Sequence, residues 1–204
     1  MKYKLTFSPK VNVSSPSITG AIVGASPPAF FAWQPSTWPA TPPAVDEAFI
    51  HSLKQIFEES ILGEINNVIA DVHRSNGSLQ NRGHVVAIAM FSALDAIASY
   101  GYRGHLVKKF IEAHFPPGYH PHATQIYDLY RNSMIHSWNL FEASIYPDDS
   151  PIRPEGTTLA FGLLNFFDAL VGATGAFLED LARDAALQGN TLRRYAELKR
   201  SAKP

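Results

Sequence analysis

The side chains in this chain that are best suited to chemistry are Arg131, Asn132 and His136, in the order Arg-Asn-x-x-x-His. An imidazole can take up or release a proton near neutral pH because its unperturbed pKa is about 6.5. The planar guanidinium of arginine binds phosphate oxygens through parallel N–H donors, and an amide can orient either group. The set is therefore suited to proton transfer beside a phosphate.

The spacing of these residues on a helix limits how they can cooperate. At about 100° per residue, Asn132 and His136 lie about 40° apart on adjacent turns, whereas Arg131 and His136 diverge by about 140°. One helix therefore does not bring all three side chains to one side. A pair of such helices that meet at a two-fold axis could bring both sets to one groove.

Two segments of the chain resemble the HEPN superfamily. Residues 126–136 are similar to the motif helix of that family, in which Arg, often followed by a polar residue, precedes His by four to six residues within a helical bundle. Residues 92–98, Ser-Ala-Leu-Asp-Ala-Ile-Ala, resemble the preceding helix, which often carries an acid. Residues 1–43 and those after 140 add nothing specific to the resemblance.

The resemblance implies a metal-independent endoribonuclease without a cofactor, which works as a homodimer in defence or stress response. His136 would act as general base or acid in the attack of the ribose 2′-OH, and Arg131 would stabilise charge on the phosphate oxygens. Asn132 would orient His136 or the phosphate, and Asp95 could pair with Arg131. Cleavage would leave a 2′,3′-cyclic phosphate.

Two other functions are compatible with the same residues. Many members of the HEPN superfamily are non-catalytic modules that bind or regulate a partner protein, and a purely structural helical protein is a third possibility. In that last case Arg131 forms an ordinary salt bridge and His136 is a half-buried histidine with a backbone or hydroxyl partner. Trp138 also departs from the Tyr of toxins silenced by nucleotidylation, which puts that control in doubt.

Further candidates flank the motif or carry positive charge. Tyr127 and Tyr130 could stack on bases or pack in the core. Lys108 and Lys109 could contact phosphates, although basic groups more often lie on solvated helix faces. The other basic positions of this kind are Arg103, Arg193, Arg194, Lys199, Arg200 and Lys203.

Three histidines follow one another closely at His114, His120 and His122. A His-x-His pair can bind zinc or nickel, but no carboxylate or cysteine stands at ligand spacing beside this one. The segment is therefore predicted to be a polar loop, which could still lie at the edge of an active cleft, and no metal site is expected.

The hydrophobic pattern predicts an all-α fold, a HEPN-like antiparallel bundle of about five to six helices over residues 44–204. A β-hairpin around 140–158, with its turn at 147–151, is the one expected β element. The helices are predicted from about 44 to 74, 80 to 100 as the central helix, 106 to before Pro116, 121 to 139, 159 to 184, and from Thr191, as a helix cap, to the C-terminus.

Residues 1–43 have a different composition from the rest of the chain. They hold eight of the 15 prolines and no acid, so they are predicted to form an extended or partly disordered arm. Several aromatic side chains in this arm would suit contact with the bundle or with a partner subunit.

The overall composition bounds the location and partners of the protein. The 204 residues fit one core, and a net charge of -1 means that RNA binding would need a local basic patch. The absence of cysteine suits a reducing compartment. Without a signal peptide or a run of about 18 uncharged apolar residues, a cytoplasmic protein with no membrane association is expected.

Overall fold

A computed structural model describes residues 44–74, 83–128, 143–146, 149–156 and 158–201, and the predicted arm lies outside them. These residues form a mostly helical fold with one small sheet, which confirms the predicted class. The helical elements are α1 (Glu47–Gln55), a π-helical segment (Ile56–Leu62), α2 (Gly63–Arg74), α3 (Gly83–Gly101), α4 (Leu106–His114), a 3-10 segment (Pro117–His122), α5 (Ala123–Asp128), α6 (Leu163–Leu181) and α7 (Ala185–Ser201).

The first long helix begins at an aspartate and widens in its middle. Oδ1 of Asp46 accepts a hydrogen bond of 2.7 Å from the backbone N–H of Phe49, so this carboxylate satisfies a free donor of the first turn. The π-helical segment buries Phe57 and Leu62, and the N–H of Gly63 closes it on the carbonyl of Glu58. A Cβ at position 63 would overlap that carbonyl, so the widened turn requires glycine.

The two helical glycines Gly63 and Gly172 are expected to respond in opposite ways to alanine. Gly63→Ala should lower the free energy of unfolding by about 1–3 kcal/mol, because backbone must move to admit the methyl group. Gly172→Ala should raise it by about 0.5–1 kcal/mol, since α6 has open space there and alanine is the better helix former. Urea denaturation measures both, and a shift of the same sign in the two variants would contradict a glycine-dependent π segment.

α3 is the central helix, as predicted, and contacts α2, α4, α6, α7 and the sheet. Its apolar surface is nearly continuous because neighbours cover it on several sides. By length and composition α3 could cross a membrane, a test that buried core helices also pass, and 56% of its most apolar window is buried inside the fold. The absence of membrane association stays a prediction.

Aromatic side chains join the helices of the core. The ring of Phe91 on α3 lies 5.0 Å from that of Phe166 on α6. Three turns further along the same face of α6, Phe177 lies 5.7 Å from Phe110 of α4 and 6.5 Å from Phe57. These side chains are almost completely buried, so α6 is held against both α3 and α4 by close aromatic packing.

Within the described residues, three short strands form one sheet in the order β1-β3-β2. The strands are β1 (Ala143–Tyr146), β2 (Arg153–Glu155) and β3 (Thr158–Gly162). The predicted β element is present, but β1 and β2, which flank the expected turn, do not pair with each other. β3 pairs in parallel with β1 and antiparallel with β2, which it follows after a turn where Gly156 has a φ of 61°.

The prediction that the fifth helix begins at Leu159 is therefore wrong. Residues from Leu159 to Gly162 are buried between two strands, and the backbone donors and acceptors of β3 are used by the sheet. Helix α6 begins only at Leu163. A short apolar run that is buried on both faces does not show by its periodicity whether it is strand or helix.

The last helix also differs from the prediction, which set Thr191 as its cap. Asp184 performs that role, because its Oδ1 accepts hydrogen bonds from the backbone N–H groups of Ala186 and Leu187 at 2.7 and 3.1 Å. Thr191 lies fully buried inside α7 and donates to the carbonyl of Tyr100 at 3.2 Å. α7 continues without a break through Gly189 and Asn190, and the side-chain amide of Asn190 donates to the carbonyl of Gly101.

Candidate functional site

The predicted motif residues lie in a part of the chain that the structure does not describe. Residues 129–142 fall there, and the remaining predicted site residues fall in α3, α4 and α5. The predicted site residues outside the described ranges are Tyr130, Arg131, Asn132 and His136. The predicted site residues that the structure describes are Asp95, Lys108, Lys109 and Tyr127. The structure therefore bears on the surroundings of the motif rather than on its own geometry.

Tyr127 lies near the end of α5, four residues before Arg131 in sequence. Its half-buried ring packs against the core and meets the ring of His105 edge-on, with centroids 6.3 Å apart. His105 immediately precedes α4 and has a φ of 50°, a left-handed conformation that closes the tight connection from α3. The described end of α5 is thus anchored at the α3–α4 turn.

The two lysines of α4 make contacts within the same region. Nζ of Lys109 donates a 2.8 Å hydrogen bond to the carbonyl of Arg103, and Nζ of Lys108 lies 3.8 Å from the carboxylate of Glu112. Lys109 therefore brings its charge to the α3–α4 turn, whereas Glu112 offsets that of Lys108. Asp95 lies half-buried on α3.

Three arginines meet around Glu197 of α7, and we call Arg103, Arg193, Arg194 and Glu197 the arginine patch. Among the described residues, Oε1 of Glu197 lies 3.2 Å from Arg103 and 4.0 Å from Arg193, and Oε2 lies 3.8 Å from Arg194. One carboxylate cannot offset three guanidinium charges. The patch is therefore electropositive, and its side chains are between 37% and 59% exposed.

Neighbouring polar groups hold the arginine patch in position. Arg193 donates at 2.7 Å to the side-chain oxygen of Asn190, and Arg194 donates at 3.1 Å to the hydroxyl of Ser99. The spacing of Arg193 and Arg194 from Glu197 on one helix is visible in the sequence. The approach of Arg103 is not, because it comes from a turn more than ninety positions earlier in the chain.

A polar cavity of about 740 Å³ opens where the C-terminal ends of α3, α4 and α6 meet the start of α7. We call it the polar cavity, and the side chains that define its chemistry are Tyr102, His114, Asp180 and Asp184. The prediction that the histidines of 114–122 form a polar loop is wrong for His114. It is the last residue of α4, and its side chain is only 1% exposed.

His114 connects a phenol to a carboxylate. Its Nε2 lies 2.8 Å from the hydroxyl of Tyr102, and its Nδ1 lies 3.3 Å from Oδ2 of Asp180. The second distance is within ion-pair range, but the geometry does not make a hydrogen bond, so Nδ1 is buried beside Asp180 without a hydrogen-bond partner. The nearby carboxylate favours a proton on Nδ1, and the Tyr102 hydroxyl then donates to Nε2.

Burial sets the protonation states in this group. It lowers the pKa of His114, and the charge of Asp180 only partly opposes that effect. Burial, with help from the negative charges of Asp180 and Asp184, raises the pKa of Tyr102 to about 12. At neutral pH the imidazole is therefore uncharged and the phenol keeps its proton. Tyr102 is a hydrogen-bond donor rather than a nucleophile.

The lowered pKa of His114 predicts a loss of stability in mild acid. Between the unfolded pKa of about 6.5 and the lower folded pKa, the unfolded chain binds the proton and the folded protein does not, so stability falls as pH falls. We expect the urea midpoint of the wild type to drop more between pH 7.5 and 5.5 than that of His114→Gln. His51→Gln, at an exposed position of α1, should keep the wild-type drop. Equal drops in wild type and His114→Gln would contradict the buried neutral imidazole.

No protein family, curated protein or solved structure matches the chain. Across the described ranges, no group of three or more His, Asp or Glu side chains could hold a metal ion. In that same part of the chain, His120 uses Nε2 on the carbonyl of Phe115 at 2.9 Å, which fixes the 3-10 segment.

Proposed function

We propose that this chain is a HEPN-like endoribonuclease that cleaves RNA without a metal ion. Two features support the proposal: the Arg-Asn-x-x-x-His sequence at residues 131–136 in a mostly helical protein, and an electropositive surface in a protein of net charge -1. The observation that carries it is the convergence of Arg103, Arg193 and Arg194 on the single carboxylate of Glu197. Such a surface supplies the phosphate contacts that the overall charge does not.

One member of the arginine patch, Arg103, lies in the α3–α4 turn that α5 contacts through Tyr127. Arg103 is two residues from His105, whose ring contacts Tyr127. Because Arg131 follows Tyr127 by four residues, the chain cannot separate their Cα atoms by more than about 14 Å. RNA bound by its backbone across the patch would therefore lie within a few nucleotides of Arg131.

The reaction that we propose is an internal phosphoryl transfer. His136, as the base, takes the proton of a ribose 2′-OH, whose oxygen attacks the adjacent phosphorus. The P–O bond to the next nucleoside breaks, and its 5′-oxygen leaves as a hydroxyl after taking up a proton from protonated His136 or from water. Arg131 stabilises the negative charge on the phosphate oxygens, Asn132 orients the phosphate or His136, and Asp95 directs Arg131.

Because Arg131 and His136 diverge on a single helix, we propose a homodimer in which the two copies complete one site. A cytoplasmic role in stress or phage defence, under the control of a partner protein, accompanies this proposal.

The test is an incubation of purified protein with mixed RNA in EDTA, followed by gel electrophoresis. We expect the wild type to fragment the RNA and Arg131→Ala to leave it intact, because the charge on the phosphate would lose its main partner. Arg153→Ala is the matched control, since it removes an arginine from the sheet, and it should cleave normally. Intact RNA with a folded wild type would overturn the nuclease and favour a non-catalytic module.

The arginine patch gives a prediction about binding that separates charge from structure. Replacing both Arg103 and Arg194 by Ala should weaken RNA binding about tenfold or more at moderate salt, and should reduce the salt slope by roughly one per lost phosphate contact. Glu197→Gln breaks the same ion pairs but removes a negative charge, so it should strengthen binding. Fluorescence anisotropy with a labelled RNA measures each change. Weaker binding in both variants would indicate structural damage instead of phosphate contact.

A further inference from the structure

We propose that residues 29–38 of the N-terminal arm bind the outward face of α3 in the same molecule, where they cover Val85 and Ile88. The two surfaces share one property, because each is apolar and carries no charge. The contact involves neither the 131–136 motif nor the arginine patch, so it does not depend on ribonuclease activity.

The outward face of α3 is apolar over the first half of the helix. At about 100° per residue, Ile88, Ala89 and Ser92 all lie within about 60° of Val85 around the helix axis. Val85 and Ser92 are exposed, and Ile88 and Ala89 are partly buried. None of the four is charged, and we call them the α3 face. The solvated side of a helix usually carries charged and polar groups, so this composition is typical of a covered surface.

Exposed valines mark the same surface in the part of the chain that the structure describes. Val85 is 55% exposed and Val68, on the neighbouring helix α2, is 43% exposed, and these are the large apolar side chains left open there. A single exposed valine is ordinary. Two on helices in contact, with the half-buried Ile88 beside them, favour a surface that binds another apolar segment.

The arm supplies a segment with matching chemistry. Residues 11–45 contain no charged side chain, and they include Phe30, Phe31, Trp33 and Trp38. Prolines on both sides of these rings predict an extended chain without a core of its own, so the rings leave water only against another surface. A neutral segment on a neutral face strips no charge of its water, which favours this pairing over contact with the basic surfaces.

The length of the arm and the place where it joins the fold bring the α3 face within reach. Residue 44 is exposed just before α1, and the helical run from Glu47 to Val68 rises about 32 Å. The extended chain from Val45 back to Trp33 covers about 40 Å, so it can return along α1 and α2 beyond the level of Val68. A tether of this length also keeps the segment at a high effective concentration, which favours the arm of the same molecule over that of a second copy.

Cysteine cross-linking of the full chain tests this contact, because the chain has no cysteine of its own. Ala32→Cys is combined with Ala89→Cys, and dilute protein is treated with a short bismaleimide. We expect a product of monomer mass in which mass spectrometry finds the peptides of positions 32 and 89 joined. The arm can leave the α3 face while the fold stays intact, so this local contact is measured by cross-linking rather than by global unfolding.

Two further substitutions in the same double-cysteine chain separate binding from chance collision. Trp33→Ala removes an aromatic anchor and Val85→Asp places a charge under the segment, so each should lower the cross-linking yield about threefold or more. Position 85 lies in the first turn of α3, where a carboxylate suits the helix dipole, so Val85→Asp should fold.

The matched control combines Ala32→Cys with Ala186→Cys. Ala186 is exposed at the start of α7, near Gly101 at the far end of α3, which is about 24 Å along the helix from Val85. This pair should give little product. Equal linking in the control pair, or a yield that Trp33→Ala and Val85→Asp leave unchanged, would overturn the proposal. A product of twice the monomer mass would also overturn it and would assign the α3 face to the arm of a second copy. None of these results bears on RNA cleavage.

Discussion

Replacing His136 by alanine is expected to slow RNA cleavage by about a hundredfold to ten-thousandfold, the usual contribution of a positioned general acid or base. The reason is that a 2′-OH is a very weak acid, and without an imidazole nearby only water can take its proton. Folding should be little affected if His136 faces the substrate. The matched control is His51→Ala, at an exposed position of α1, which should cleave at the wild-type rate.

Single-turnover rates across a pH series measure this effect most cleanly. The wild-type rate should follow the titration of a group with a pKa in the range of histidine, and this dependence should vanish in His136→Ala. A rate within twofold of the wild type would show that His136 does not transfer the proton. Normal binding with lost cleavage, in contrast, would separate its chemical role from any part in RNA affinity.

Replacing Phe177 by alanine is expected to lower the free energy of unfolding by about 3–5 kcal/mol, which is a large fraction of the stability of an ordinary domain. Phe177 is completely buried on α6, and its ring contacts Phe57, Phe110 and His114. Alanine would leave a cavity between α6 and α4 and would remove one wall of the His114 position.

Urea denaturation measures the change in free energy of unfolding, and an m-value equal to that of the wild type shows that the two unfolding transitions can be compared. Val85→Ala is the control, because Val85 is 55% exposed and should change stability by about 0.5 kcal/mol or less. A loss below about 1 kcal/mol in Phe177→Ala would contradict a core organised around this aromatic group.

The sequence predicts those elements whose pattern is set by local rules. The 3.6-residue period of apolar side chains identifies α3 as the central helix, and Pro116-Pro117 ends α4 where a proline must end it. The apolar period does not predict β3, because pairing with strands on both sides makes residues 158–162 extended. The capping rule also fails for Thr191. This residue was expected to begin the last helix, but it lies inside that helix and its hydroxyl donates to the carbonyl of Tyr100 on α3.

The candidate sites divide in the same way. Arg131, Asn132 and His136 stand close together in the sequence, so their pattern can be seen there, although their geometry lies outside the described residues. The approach of Arg103 to Glu197 and of His114 to Asp180 depends on how α3, α4, α6 and α7 pack. Such contacts between distant positions carry no local signal, so a single sequence does not reveal them.

The end groups of the RNA fragments test the HEPN-like mechanism most directly. After incubation of wild-type protein with a defined RNA in EDTA, mass spectrometry should find 2′,3′-cyclic phosphate on one fragment and a 5′-hydroxyl on the next, because the attacking oxygen belongs to the RNA itself. Fragments with 3′-hydroxyl and 5′-phosphate ends, or an intact RNA after exposure to folded protein, would contradict 2′-OH attack by the residues at 131–136.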